Sequence, residues 1–366
     1  MKICFVAPNI YPFLSGNYDA QVLGGAEVQQ VQIAQLLRSE GHDVSIVTLD
    51  HEQPDGQVID GIRVYKAYRP SAGLIGLRYF YPRLFTLWRA ITKADADIYY
   101  TRAAGMLTAL LAIFARRYGK KYIYAGAHDR DFIPSQLLIR YKRDRLLYEY
   151  GLWRADAIIV QSEKQRSLLK RNYGLDGIVI PNFLRQAPAV LDEGARRHVL
   201  WVGTLRDIKR PALFLDLAQA LPDVSFEMVG GPDASNPMLY EQIREKARQL
   251  PNVKFLGFQP FVEAERHFDT CKVFVNTSSA EGFPNTFLQA MRRGIPIVSF
   301  VDPDNMIAKN SLGVSVTTNQ ELMDAVSGLS RGNAWPPDGI RSFYLRQFSG
   351  EGVVKKYREL LSGLGA

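Results

Sequence analysis

Short apolar runs rich in β-branched and aromatic residues recur along the chain, with room for one helix between successive runs. In the first half they fall at Ile3–Pro8, Asp43–Leu49, Gly61–Tyr68, Ile98–Tyr100, Tyr122–Ala125, Ala157–Val160 and Ile178–Ile180. Val28–Leu37 instead has apolar residues at helical spacing and is closed by Gly41. Strands alternating with helices predict right-handed βαβ units around a parallel sheet. The pattern stops over Pro181 to Arg197, which has no periodicity and reads as a linker. Predicted strands then resume at Val199–Val202, Ser225–Val229, Val253–Leu256, Val273–Asn276 and Ile297–Phe300, with helices at Leu213–Leu221, Leu239–Leu250 and Thr286–Arg293. The expected organisation is a first α/β domain over 1–181, a linker over 182–197, a second α/β domain over 198–345, and a last helix over 346–366 crossing back to the first. In doubly wound sheets ligands bind at the carboxyl ends of the strands, so those loops hold the candidate chemistry.

Composition narrows this little: 366 residues, 47% apolar and 22% charged, are ordinary globular chemistry and exclude a disordered or disulfide-stapled chain. Cys4 and Cys271 lie far apart in apolar runs and read as buried thiols of a reducing compartment. No run of 18 apolar residues occurs, so the expectation is a cytoplasmic protein. Charge adds more. The net +8 lies wholly in residues 1–190, with 25 basic against 17 acidic residues, while 191–366 has 20 of each. Residues 61–145 alone hold 17 basic and 5 acidic residues. A basic surface this local suits an acidic ligand, nucleic acid or an anionic membrane.

Four segments at predicted strand ends carry the candidate chemistry. Leu23-Gly-Gly-Ala-Glu27 opens the first helix, where adjacent glycines admit a phosphate to the helix N-terminus. Gly126-Ala-His-Asp-Arg-Asp-Phe132 places His128 among Asp129, Arg130 and Asp131. Val202-Gly-Thr-Leu-Arg-Asp-Ile-Lys-Arg-Pro211 sets Lys209 and Arg210 before a helix, a plausible diphosphate clamp. In Ala280-Glu-Gly-Phe-Pro-Asn-Thr-Phe-Leu-Gln289, Gly282 and Pro284 force an irregular loop that leaves Glu281 to accept sugar hydroxyls. The Gly-x-Gly-x-x-Gly fingerprint of nicotinamide dehydrogenases is missing, and acid-x-acid triplets occur no more often than chance, so no metal site is read.

These segments, with Ala-Met-x-x-Gly-x-Pro-Ile-Val after the last, resemble group 1 (family four) retaining glycosyltransferases over nearly the whole chain. The resemblance implies the GT-B fold, α/β with two Rossmann-like parallel-sheet domains facing a cleft. It implies a nucleotide-sugar donor; a UDP-hexose such as UDP-glucose is the preferred expectation, with GDP-mannose next, and no metal is required if Lys209 and a helix N-terminus take the diphosphate. Glu281 would bind the transferred sugar, and Lys209 the diphosphate, with Gly203, Arg206 or Arg210, Gly25 and the backbone of Phe283, Pro284, Asn285 and Thr286. Gly257 and Phe258 would lie at the nucleobase. His128 would be catalytic beside sugar and acceptor, with Glu27, Asp129 and Asp131 on the acceptor side. Two departures bear on donor affinity: Gln289 stands for the family's ribose-binding Glu, and Thr204 for an Arg.

The partners expected are a glycan or lipid-linked acceptor in polysaccharide or glycolipid assembly, with no nucleic acid. The stretches Leu74–Ile91 and Arg140–Arg145, rich in aromatic and basic residues, suggest peripheral contact with an anionic membrane. The competing expectation is a non-catalytic GT-B partner whose donor site has weakened through Thr204 and Gln289.

Overall fold

The computed structural model of the chain describes residues 1–16, 24–73, 79–185, 193–233, 235–332 and 335–365. Leu23 of the first motif, residues 74–78 of the aromatic stretch and linker residues 186–192 fall outside them. The chain divides into two compact units, Met1–Asn182 with Gly350–Ala366, and Phe183–Ser349.

In the first unit the strands are β1 (Lys2–Val6), β2 (Asp43–Thr48), β3 (Gln57–Ile59), β4 (Ile62–Lys66), β5 (Ile98–Arg102), β6 (Lys121–Ala125), β7 (Ala157–Val160) and β8 (Ile178–Val179). They form one sheet in the order β3-β4-β2-β1-β5-β6-β7-β8. All neighbours are parallel except β3 and β4. The inner strands are buried on both faces, which is why they read as continuous apolar runs rather than alternating ones. Their tyrosines sit in the core because the hydroxyls find partners: Tyr99 Oη accepts from the Ala96 N–H at 3.0 Å and donates to Ile91 O at 3.1 Å. The helix Gly350–Gly363 packs in this unit through buried Tyr357, and its Lys356 donates to Val179 O at 3.0 Å.

The second unit has β9 (His198–Val202), β10 (Ser225–Val229), β11 (Val253–Gly257), β12 (Cys271–Asn276), β13 (Ile297–Ser299) and β14 (Gly313–Ser315). Their order is β11-β10-β9-β12-β13-β14, all parallel. One core cluster contains Phe268, Phe274, Phe287, Met291 and Phe348, the other Trp201, Phe214, Phe226, Met228 and Val326. Both cysteines are fully buried, and burial pushes the Cys4 thiol up to about 12.

Differences from the sequence reading have local causes. β3 and β14 have no counterpart among the predicted strands: each is three residues long, and β3 is a polar edge strand with Val58 exposed. Helices begin one to three residues before their apolar periodicity because the first turn is polar, glycine or proline, as at Gly25, Pro211 and Pro237. The aromatic stretch near residue 85 is divided, with Tyr81 and Phe85 exposed and its C-terminal end packed on the core. Trp88 packs on Phe114 at 5.0 Å, Ala90 and Ile91 are buried, and Arg83 is tied to the carbonyls of Pro70 and Ala72. Among the described residues no helix is long and apolar enough to cross a membrane.

Candidate active site

Four loops leave the carboxyl ends of β9, β10, β11 and β12, and backbone hydrogen bonds set them side by side. The Gly203 N–H donates to Val229 O at 3.0 Å, Leu205 N–H to Gly231 O at 3.0 Å, and Gly230 N–H to Gly257 O at 2.8 Å. This approach is so close that a Cβ on Gly230 would lie 2.3 Å from Gly203 O. Gly230, Gly231 and Asp233 escape the sequence reading, although a glycine pair directly after a strand is the same signal that marks Gly203. Phe258 packs its ring against Gly231.

The loops after β9 and β12 are fastened to each other at three points. Thr277 Oγ1 donates to Lys209 O at 2.6 Å and itself accepts from the Trp201 indole at 2.9 Å. The Ser279 N–H donates to Ile208 O at 2.9 Å. Arg210 Nε donates to Thr277 O at 2.6 Å, and its guanidinium stacks 4.2 Å above the Phe300 ring. The consequence is one charged pair: Lys209 Nζ donates to Glu281 Oε1, and Ser278 Oγ donates to the same oxygen at 2.7 Å. The Glu281 side chain is 12% exposed and that of Lys209 27%, so the pair is open to a ligand yet largely shielded from water.

Several expected donor contacts are committed elsewhere in this structure. Arg210 braces the two loops through backbone carbonyls. Arg206 pairs with Asp233 at 2.6 Å. Gln289 is buried, and its amide donates to Glu265 Oε1 at 2.5 Å. Glu265 also takes Arg293 at 3.0 Å and pairs with Arg292. Phe283 is buried against Phe348 at 5.1 Å, and buried Pro284 precedes the helix Asn285–Met291, whose Asn285 and Thr286 are half-buried. Gly257 ends β11, and Gly203 and Thr204 follow β9, with Thr204 half-buried.

In the first unit, Gly25 opens the helix Gly25–Ser39. Glu27 folds back over its start, with Oε2 2.5 Å from where a Cβ on Gly24 would stand. The 126–132 loop is organised around Asp131. Its Oδ2 accepts the Ala127 N–H at 2.7 Å and the His128 N–H at 3.1 Å, and burial pushes its pKa up. His128 Nδ1 accepts the Arg130 N–H at 3.1 Å, so the neutral ring carries its proton on Nε2. Asp129 is nine-tenths buried between Gln165 at 3.1 Å and Lys164 at 2.7 Å. Both aspartates thus brace the loop that carries His128.

Asp131→Ala leaves two partly buried N–H groups unpaired, which costs at the lower end of about 1–3 kcal/mol. Asp131→Asn keeps an acceptor and costs less. The folded carboxyl pKa lies above the unfolded one, so the native state binds the extra proton. Its contribution is therefore full below about pH 3.9 and declines as pH rises through the folded value. Urea unfolding at several pH values checks both points: Asp131→Asn should lose that slope, and an unchanged slope would contradict the assignment.

Two family models match, Glycosyltransferase Family 4 over residues 23–185 and Glycosyl transferases group 1 over 196–331. An uncharacterised glycosyltransferase of Haemophilus influenzae is 23% identical over 76% of this chain and 77% of its own length. The human protein named as one of the subunits of phosphatidylinositol N-acetylglucosaminyltransferase is 24% identical over 97% of this chain and 75% of its own. Among solved structures, sucrose-phosphate synthase of Thermosynechococcus elongatus superimposes with a TM-score of 0.77 at 18% identity, covering 99% of this chain and 98% of that one. HepE of Anabaena, solved with UDP and glucose, gives 0.75 at 18% identity, covering 99% and 100%. With both halves matched and both sheets wound as in those structures, the chain belongs to the group 1 (family 4) glycosyltransferases and has the GT-B fold.

Proposed function

We propose that the chain moves a hexose, with glucose favoured, from a UDP-sugar to a glycan or lipid-linked acceptor, with retention at the anomeric carbon. The observation that carries this reading is the Lys209–Glu281 pair, a cation and a carboxylate held together on two interlocked strand-end loops. Cleaving the donor builds negative charge on the departing diphosphate and positive charge on the sugar ring. A fixed ammonium beside the first is the electrostatic stabilisation that transfer needs. Glu281, held by the Ser278 hydroxyl, accepts hydrogen bonds from sugar hydroxyls. Donor binding makes Lys209 share its protons between Glu281 and a phosphate oxygen. With Lys209 and backbone N–H groups in that role, transfer proceeds without a metal cofactor, and the acceptor attacks from the leaving-group side. His128 supplies an Nε2–H to a hydroxylated ligand.

UDP is favoured because the similar HepE structure holds UDP and glucose, and that of the pneumococcal transferase GtfA holds UDP and GlcNAc. A lipid-linked or glycan acceptor is favoured by relatives named for phosphatidylinositol and for O-antigen biosynthesis. Calorimetric titration with UDP, GDP, ADP and dTDP, without added metal, tests the donor. The expected result is heat from UDP above the rest. Heat from none of them would transfer the weight to a non-catalytic partner, a reading favoured by the capture of Gln289 by Glu265.

A further inference from the structure

The helix Lys142–Leu152 buries one face only. Tyr148, Gly151 and Leu152 face the core of the first unit. Leu146, Tyr150 and Trp153, spaced i, i+4, i+7, form a stripe on the opposite face and are 68%, 36% and 62% exposed. Leu138 and Tyr141, in the segment leading into the helix, are 69% and 57% exposed. Single exposed apolar residues are ordinary, but five large ones within one short segment are not.

The charge around the stripe selects its partner. Residues 138–154 hold five basic residues, Arg140, Lys142, Arg143, Arg145 and Arg154, against Asp144 and Glu149. Arg154 stacks 3.8 Å over the Tyr150 ring and Arg140 lies 5.4 Å from the Tyr141 ring. Asp144 is engaged by Arg143 at 2.8 Å. Leucine between tyrosine and tryptophan, rimmed by cations, matches the boundary between headgroups and acyl chains of an anionic bilayer. The sequence alone shows the basic cluster but not the apolar stripe, which emerges only once the helix phase is known.

We infer that the segment 138–154 is a membrane-docking surface. Leu146, Tyr150 and Trp153 enter the headgroup boundary of an anionic bilayer, and the arginines and lysine beside them meet lipid phosphates. The inference deepens the proposed function by naming where a lipid-linked acceptor is met, but it is testable with neither donor nor acceptor present.

The test is co-sedimentation with phosphatidylcholine vesicles, with and without about one-third phosphatidylglycerol. The wild-type chain should bind the anionic vesicles and not the neutral ones, and high salt should weaken binding. Leu146→Ser/Trp153→Ser should bind about tenfold more weakly or less, since the buried apolar area sets the affinity. Circular dichroism and an unchanged melting midpoint show that this variant folds, as its side chains are exposed. Lys142→Glu/Arg143→Glu should lose binding to the same vesicles. No binding by the wild type, or equal binding by the apolar variant, would overturn the proposal. So would a wild-type dimer in ultracentrifugation that the variant dissolves while vesicles go unbound, which would make the face a protein interface. A chain that binds UDP but no vesicle keeps the transferase reading, and one that binds vesicles but no nucleotide keeps this inference alone.

Discussion

Lys209→Ala is expected to weaken UDP binding about tenfold to a hundredfold, the worth of a charge-assisted hydrogen bond of about 1.5–3 kcal/mol. The loss should sit at the upper end because the variant also leaves Glu281 as an uncompensated carboxylate facing the diphosphate. Glu281→Ala should act in the opposite direction on binding. It releases Lys209 from its intramolecular partner, so UDP binds as tightly as before or more tightly, while sugar transfer is lost. The double variant should bind UDP better than Lys209→Ala alone. Removing Glu281 should improve binding more in the Lys209→Ala background, where its carboxylate is uncompensated, than in the wild type, and this difference is the non-additivity expected for groups in direct contact. Titration calorimetry of the four proteins completes the cycle. Additive effects would mean that the ion pair plays no part in donor binding.

Gly230→Ala is the second large effect. The new methyl would stand 2.3 Å from the Gly203 carbonyl oxygen, which is backbone and cannot rotate away. The loops after β9 and β10 must then separate, breaking the Gly203 N–H to Val229 O and Leu205 N–H to Gly231 O bonds that align them. Overpacking of this kind costs about 1–3 kcal/mol. The loop bearing Lys209 is displaced with it, so nucleotide affinity should fall together with the melting temperature. A variant with unaltered melting and unaltered UDP binding would show that the approach at Gly230 does not set the site.

The sheets are legible in the sequence because their inner strands are buried on both faces and so read as unbroken apolar runs. Edge strands are not: Gln57–Ile59 is short and half-solvated, and Gly313–Ser315 offers only Val314 as a strand former. The strand-end motifs identify which loops matter, since glycine, proline and charge at those points follow from backbone requirements. Which side chains face a ligand is another matter. Arg210, Arg206 and Asp129 have the right chemistry for a site, yet their partners, Thr277, Asp233 and Gln165, come from distant segments, while Asp131 caps its own loop. No local pattern distinguishes a bracing arginine from a binding one. Gln289 is the sharpest case, because its neighbour Glu265 lies 24 residues away on another helix.

On the proposed mechanism the chain opens a UDP-sugar at the Lys209–Glu281 pair with retention. Proton NMR of UDP-α-glucose incubated with the protein and no acceptor tests it most directly, since slow transfer to water reports the same bond cleavage. α-Glucose is expected as the first sugar released, before mutarotation, with no release by Glu281→Ala. Release of β-glucose first, or equal release by the variant, would contradict it.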